Sequence, residues 1–262
     1  MNDDIVLKMD SDGTEILQFK RLLDFPNLKH GYTLRKNGIN IYAKNNEQDM
    51  IESYKKVAKM LNFDYKNIVK PHQTHTDKIE IVNSANEKFD EVDGLITNKK
   101  NIFLCTTSAD CISLMFYDPS KKVIANVHSG WRGTLKQIGR KAVEKMISVY
   151  SSNPRDIICC IGPCIKKCHF EVDIDVMQAF YDKFKYTGKS NEIIAKGRNT
   201  GNVQKFNVDT TLINKIILEE AGLRKENIID SEICTVCNSY MFHSYRADKE
   251  KSGRNGAFIG IV

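Results

Sequence analysis

Short runs rich in β-branched and aromatic residues recur along the chain at IVLKM, EILQF, KIEIV, IFLCTT, CISLMFY, KVIANVH, IICCIG and AFIGIV, and each reads as a strand. A period of three to four between apolar positions replaces them over 47 to 61, 134 to 150 and 209 to 222, where an opening polar or capping residue precedes each predicted helix. A fourth helix is expected over 173 to 184. Several strands are joined by short turns and the helices are interspersed among them, which predicts a mixed sheet and the α+β class. No internal repeat, low-complexity tract or linker rich in Pro, Gly or Ser interrupts this pattern, so residues 1–262 are expected to form a single domain.

The stretch CISLMFYDPSKKVIANVH, residues 111 to 128, holds two such runs around Asp118-Pro119-Ser120-Lys121. Asp followed by Pro suits a type I turn, because proline already has the backbone angle required at its second position. Pairing that is symmetric about this turn sets Phe116 opposite Val123, Leu114 opposite Ala125, Ile112 opposite Val127 and Cys111 opposite His128. Strand side chains alternate in direction, so Cys111, Ser113, Asn126 and His128 share one face. Ile112, Leu114, Phe116, Val123, Ala125 and Val127 share the other, which is expected to be core while the first is polar at its end. Cross-strand Cβ atoms lie roughly 4.5 to 5.5 Å apart. At that separation Cys111 and His128 can hold one metal ion or form a thiolate and imidazolium pair. A buried thiol beside a hydrogen-bonded imidazole is the alternative.

Composition narrows the class. The chain has 262 residues, 41% of them hydrophobic, enough for a substantial core. Its first residues, MNDDIVLKMDSDG, are acidic and polar, and no apolar run approaches the roughly 20 residues that cross a bilayer. A cytoplasmic protein with no membrane partner is expected. The net charge is +6, and the basic pairs Lys99-Lys100, Lys121-Lys122 and Lys166-Lys167 are scattered without interleaved aromatics, so no nucleic-acid partner is indicated. Eight cysteines without a secretory signal argue for thiols or metal ligands over disulfides. Cys234 and Cys237 have the spacing of half a zinc knuckle, with His243 the nearest candidate partner, and Cys164 with Cys168-His169 forms a second thiol-rich cluster. Neither has an evident set of remaining ligands along the chain.

His72 and His75 in KPHQTHTDKI precede an apolar strand and offer the spare imidazoles that a metal site at the hairpin would need. With Cys111 and His128, His75 makes three protein ligands, the number that leaves zinc an open fourth position. After His128 the chain reads SGWRGTLKQIGRK. Gly130 and Gly133 flank Trp131-Arg132, and Thr134 is placed to cap the following helix. Free N–H groups at such a helix start attract anions, which makes this turn a candidate phosphate cradle. A tight strand-to-helix turn is the alternative, since the Lys-Ser/Thr ending of a P-loop is missing.

HGYTLRKNGIN (30 to 40), PHQTH (71 to 75), DGLIT (93 to 97), SADC (108 to 111), HSGWRGT (128 to 134), IGPCI with CHFEV (161 to 172) and Cys237 with FHSYRAD and GR (237 to 254) run across most of the chain. Together they resemble the YfiH-like proteins, also labelled multicopper polyphenol oxidase or laccase-domain proteins and regarded as purine nucleoside phosphorylases. The chain departs from that pattern at Lys36-Asn37-Gly38 and at Ala247. The resemblance implies an α/β/β/α sandwich related to toxin-type cysteine hydrolases. It also implies a metal site of His75, Cys111 and His128, with Zn²⁺ as cofactor and copper as the less favoured metal. The implied reactions are phosphorolysis of adenosine, inosine, guanosine and methylthioadenosine, and adenosine deamination. Purine nucleosides and phosphate are thus the expected partners of a monomer or weak homodimer.

In this reading Arg35, Arg132, Gly133 and Arg246 are candidates for binding substrate or phosphate, and His72 or Asp110 for orienting a ligand or moving a proton. A four-copper laccase fits poorly, because the chain has six histidines and no His-x-His pair. A cysteine hydrolase with Cys111 as nucleophile and His128 as base competes, as does a non-catalytic zinc-binding module.

Overall fold

The computed structural model describes residues 3–42, 47–200 and 203–262. β1 (Ile5–Met9) and β2 (Glu15–Phe19) form an antiparallel pair, α1 (Lys20–Leu23) turns the chain, and β3 (Leu28–Thr33) returns beside β2. Next come α2 (Glu47–Leu61), β4 (Ile68–Val69), β5 (Ile79–Ile81), β6 (Gly94–Thr97) and β7 (Phe103–Ser108), followed by the hairpin of β8 (Ile112–Asp118) and β9 (Val123–Ser129). After it stand α3 (Trp131–Leu135), α4 (Ile138–Tyr150), β10 (Ile158–Ile161), β11 (Glu171–Val172), α5 (Ile174–Phe184), α6 (Ser190–Ile193) and β12 (Ile194–Thr200). β13 (Val203–Val208), α7 (Thr210–Glu220), β14 (Ile228–Asp230), α8 (Tyr245–Asp248) and β15 (Asn255–Ile261) complete the order.

One six-stranded sheet runs β1-β2-β3-β15-β7-β4, a second runs β14-β10-β8-β9-β6-β5, and β11-β13-β12 forms a three-stranded third. Parallel pairs β4–β7, β5–β6 and β10–β14 sit among antiparallel ones, the mixed-sheet α+β architecture that the pattern predicts. The layers follow from the faces that need covering. Val57, Met60 and Leu61 recur at helical spacing on α2 and pack on Ile16, Cys105 and Phe258 of the first sheet. Tyr32, Leu104 and Ile259 of that sheet meet Met115 and Ile124 of the second. The far face of the second sheet, with Leu114, Phe116 and Val127, is covered by Ile138, Ala142, Val143 and Met146 of α4 and by Leu218 of α7. Helices thus lie outside two facing sheets, in the α/β/β/α order. Among the described residues no helix is long and apolar enough to cross a membrane.

The hairpin corrects one expectation. Ser113, not Cys111, faces His128, and Ile112 pairs with Ser129, Leu114 with Val127, and Phe116 with Ala125. The shift is two residues along β9, because the loop spans Pro119 to Lys122. Asp118 Oδ1 accepts hydrogen bonds from Ser120 N (2.9 Å) and Lys121 N (3.0 Å), and Lys122 takes a left-handed φ of 54°. An even shift keeps every side chain on its expected face. The face that was expected to be polar at its end is also mostly core. Met115, Tyr117 and Ile124 are buried between the sheets, and Asn126 is satisfied by donating to the Leu104 and Ala257 carbonyls and accepting from Thr106.

The helix expected over 134 to 150 is two helices. α3 begins at Trp131, and Thr134 N donates to the Gly130 carbonyl at 2.8 Å, so no free N–H stands at Thr134 to hold an anion. The Thr134 hydroxyl is buried against Ser129 and Asn214 (3.0 and 3.2 Å), and Gln137, with φ 57°, redirects the chain into α4. β3 carries no strand-like pattern of its own; Lys29, His30 and Gly31 interrupt it, and neighbours on both sides recruit it. His30 is structural there, accepting at Nε2 from Phe19 N (2.8 Å), and burial lowers its pKa to about 3.

Candidate metal centre and cleft

Three donors converge where β8 and β9 end. Cys111 lies one residue before β8, His128 is on β9, and His75 sits in the loop between β4 and β5. Their ligand atoms all lie within 4.8 Å of one another, with Cys111 Sγ 3.8 Å from His75 Nε2. The two imidazole rings stand nearly perpendicular, at 81°, with centroids 4.9 Å apart. A thiol and two imidazoles form a zinc-type donor set, and three ligands leave a position open.

Asp93 builds this arrangement. The side chain is fully buried, and Oδ1 contacts His128 Nδ1 at 2.8 Å and accepts from His75 N at 3.1 Å. Oδ2 accepts from Thr76 N (2.6 Å), the Thr76 hydroxyl (2.7 Å) and Thr74 N (3.3 Å). One carboxylate therefore fixes the loop that carries His75, itself at φ 62°, and engages Nδ1 of His128, which leaves His128 Nε2 for the centre. The sequence reading assigned Asp93 no role. The signal was available in DGLIT, since a carboxylate at the mouth of a buried strand needs several donors.

The charges are coupled. Burial alone would raise the Cys111 thiol; the neighbouring His128, then His75, more than reverse this and bring it down to about 6. Burial disfavours the charged form of His128, but the Cys111 thiolate and the Asp93 carboxylate raise it to about 9. Burial likewise opposes ionisation of Asp93, and hydrogen bonds from His128 and Thr76 hold it at about 2. The Cys111 thiolate and the protonated His128 stabilise each other, and a cation bound between them would displace the proton from His128 Nε2.

The centre forms part of a cleft of about 1250 Å³ whose lining includes Tyr42, Lys70, His72, Tyr245 and Arg254. The Arg254 guanidinium lies 4.9 Å over the Tyr42 ring, and its Nη1 donates to the Ser252 and Gly253 carbonyls. His72 is on the cleft wall and contacts Asp90 through Nδ1. Arg35, Arg132 and Gly133 lie elsewhere, whereas Asp110 and Arg246 line a smaller cavity of about 170 Å³ that Cys111, Trp131 and Tyr245 also border. Arg35 donates to Asp248 (2.7 Å) and the Ser239 carbonyl (2.8 Å) and does not line the cleft. Arg132 is exposed and stacks on Trp131 (4.3 Å), and Gly133 packs under Thr76 and Ile138, so neither lines the cleft. Asp110, at φ 95°, accepts from the Thr235 hydroxyl and Arg246 N, both at 2.6 Å. The Arg246 guanidinium binds the His169 and Glu171 carbonyls. These contacts are within the protein and hold Asp110 and Arg246 beside Cys111 in the wall of that smaller cavity.

Gly130, and not Gly133, is where the backbone must come close. A Cβ at Gly130 would stand 2.6 Å from the His75 ring and 3.4 Å from Cys111 Sγ, although its φ of −68° suits any residue. Gly130→Ala is therefore expected to displace His75 and weaken metal binding at this centre about 10- to 100-fold, the range for disturbing a ligand's support. Gly133→Ala, whose Cβ would meet only 3.3 Å contacts, should weaken it far less. Competition with a chromogenic chelator measures both, and equal effects would refute the steric account.

Fold and centre together define the class. The family model described as multi-copper polyphenol oxidoreductase laccase matches residues 31–262, and the chain belongs to that family. Purine nucleoside phosphorylase YlmD of Bacillus subtilis (strain 168) is 32% identical over 250 residues, covering 88% of this chain and 87% of that protein. Adenosine deaminase RL5, from an unknown prokaryotic organism, is 29% identical over 236 residues, covering 86% and 87%. The crystal structure of the Bacillus licheniformis protein YfiH matches with a TM-score of 0.85 at 28% identity, over 98% of this chain and 99% of that one.

Proposed function

We propose that this chain is a zinc-dependent purine nucleoside phosphorylase acting on adenosine, inosine, guanosine and methylthioadenosine, with adenosine deaminase activity at the same centre. The observation that carries the reading is the convergence of His75, Cys111 and His128 in a cleft whose walls hold Lys70, His72 and Arg254. The names of the YlmD and RL5 relatives supply the two reactions. Zinc held by the three side chains would supply Lewis acidity toward a phosphate or water oxygen.

The chain's own residues do the rest. Asp93 holds His128 and the His75 loop in place, so the ligands need no reorganisation when substrate arrives. Tyr42 and Tyr245, both substantially exposed in the cleft, offer ring faces for a purine. Arg254, fixed by two backbone carbonyls and stacked on Tyr42, offers a positioned cation for phosphate. The multi-copper label is not carried into the reading, because imidazoles are lacking. His30 bonds Phe19 N, His243 bonds the Ile39 carbonyl and His169 lies among cysteines, which leaves His72 as the one further imidazole in the cleft, too few for a trinuclear copper cluster.

The decisive assay is hypoxanthine release from inosine with and without phosphate. Release should require phosphate and yield ribose 1-phosphate, whereas ammonia release from adenosine should not require it. Equal release in phosphate-free buffer would make the enzyme a hydrolase. Arg254→Ala is expected to raise the KM for phosphate about tenfold, the ~1.5 kcal/mol of one charge-assisted hydrogen bond, with the KM for inosine little changed. A phosphate KM left unchanged would remove Arg254 from the site. The competing cysteine-hydrolase reading rests on the proximity of Cys111 and His128. Full activity after chelation, lost on alkylation of Cys111, would favour it.

A further inference from the structure

The two cysteine motifs that lacked partners along the chain find them in each other. Cys168 and His169 lie in the segment between β10 and β11, and Cys234 and Cys237 in the segment between β14 and α8. All four donor atoms lie within 4.8 Å of one another. His243, the nearest partner in sequence, is used elsewhere by the Ile39 carbonyl, and Cys164 sits apart beside Thr211.

Four of the six donor separations are near the edges of a tetrahedron around one ion, and all six are within 4.8 Å. Zinc bonds of about 2.3 Å to sulfur and about 2.0 to 2.1 Å to nitrogen give tetrahedral edges of about 3.8 Å between sulfurs and about 3.5 Å between sulfur and nitrogen. Cys168 Sγ and Cys237 Sγ stand 3.8 Å apart, and His169 Nδ1 lies 3.2, 3.7 and 3.4 Å from the sulfurs of Cys168, Cys234 and Cys237. We propose that Cys168, His169, Cys234 and Cys237 form a second zinc site, closed by four protein ligands and structural in role.

Its place in the fold says what it holds. Residues 162–170 and 231–244 contain no helix or strand, and few ladder bonds join them; Cys164 N donates to the Ile233 carbonyl and Thr235 N to the Cys164 carbonyl. An ion with two ligands from each segment replaces the missing sheet. Both groups that hold the Asp110 carboxylate depend on it. Thr235 lies between Cys234 and Cys237, and Arg246, whose backbone N–H binds Asp110, clasps the His169 carbonyl with its guanidinium. Asp110 directly precedes Cys111, so the staple supports the first centre from behind without sharing a ligand with it.

Metal analysis tests this independently of the reaction. Protein purified without added metal, under reducing conditions, should carry two zinc equivalents. Cys111→Ala should keep one, and Cys111→Ala combined with Cys168→Ser and Cys237→Ser should keep none. The Cys168→Ser, Cys237→Ser double variant should keep one equivalent and unfold at a lower temperature than the wild type. The wild-type stoichiometry stands even where that variant does not fold. A wild type with a single equivalent that Cys111→Ala abolishes would overturn the proposal. So would a Cys168–Cys237 disulfide found by peptide mapping of the reduced preparation.

Discussion

Cys111→Ala is expected to remove one zinc equivalent and nearly all phosphorolysis and deamination, while the protein remains folded. Cys111 supplies the only anionic donor of the first centre, and its thiol is already held at about 6 by His128 and His75, so at neutral pH the negative charge is present before metal arrives. Alanine leaves two imidazoles, which hold zinc far less tightly than a set containing thiolate. Disturbing a mere support of a ligand commonly costs 10- to 100-fold in affinity. Deleting the ligand should exceed about 100-fold, enough to empty the site at micromolar zinc. The side chain is only partly buried at the cleft, so little core is lost and the melting temperature of metal-stripped protein should barely move. Elemental analysis with the inosine assay gives the answer, and wild-type zinc content with wild-type activity in Cys111→Ala would end the metal-centre reading.

Asp93→Ala should be more damaging to the fold and nearly as damaging to the metal. It orphans the buried His128 Nδ1 and the backbone N–H groups of Thr74, His75 and Thr76, and leaves the Thr76 hydroxyl only the Glu91 carbonyl. Breaking a buried, hydrogen-bonded charge pair from one side typically costs about 3 to 5 kcal/mol. Asp93→Asn keeps the shape and one acceptor but cannot ionise, which isolates the charge. The native carboxyl is held at about 2, below its ordinary value of 3.8. A depressed carboxylate contributes stability that is fully present above the unfolded value and is lost as pH falls through the folded one. In metal-stripped protein that contribution, about 2 kcal/mol, should therefore disappear between roughly pH 4 and pH 2, and Asp93→Asn should lack this step. Urea titrations across that window measure it; parallel curves for the two proteins would show that the carboxylate is not the hub of the centre.

Local pattern was enough for much of the framework. Alternation along β8 and β9 sorted Ile112, Leu114, Phe116, Val123, Ala125 and Val127 onto one buried face, and those residues do pack together under α4. Helical spacing over 47 to 61 matches α2 residue for residue, and the Asp209 side chain caps α7 by accepting from Leu212 N. The convergence of His75, Cys111 and His128 was also legible, from the family motifs and because an even register shift keeps Cys111 and His128 on one face.

What the chain could not reveal locally is which distant groups meet. The hairpin register turned on a left-handed Lys122, a conformation that propensity does not favour there, and it set Ser113 opposite His128. Asp93 reaches His128 across 35 positions, and Cys168 reaches Cys237 across 69. Periodicity reports only how a segment presents its own faces to a core. The partners of a buried carboxylate, or the second half of a four-ligand cluster, depend on how the two sheets stack and where the irregular segments between them are brought together. Those are properties of the packed whole: a carboxylate finds its donors, and thiols their fourth ligand, only once burial has fixed the chain around them.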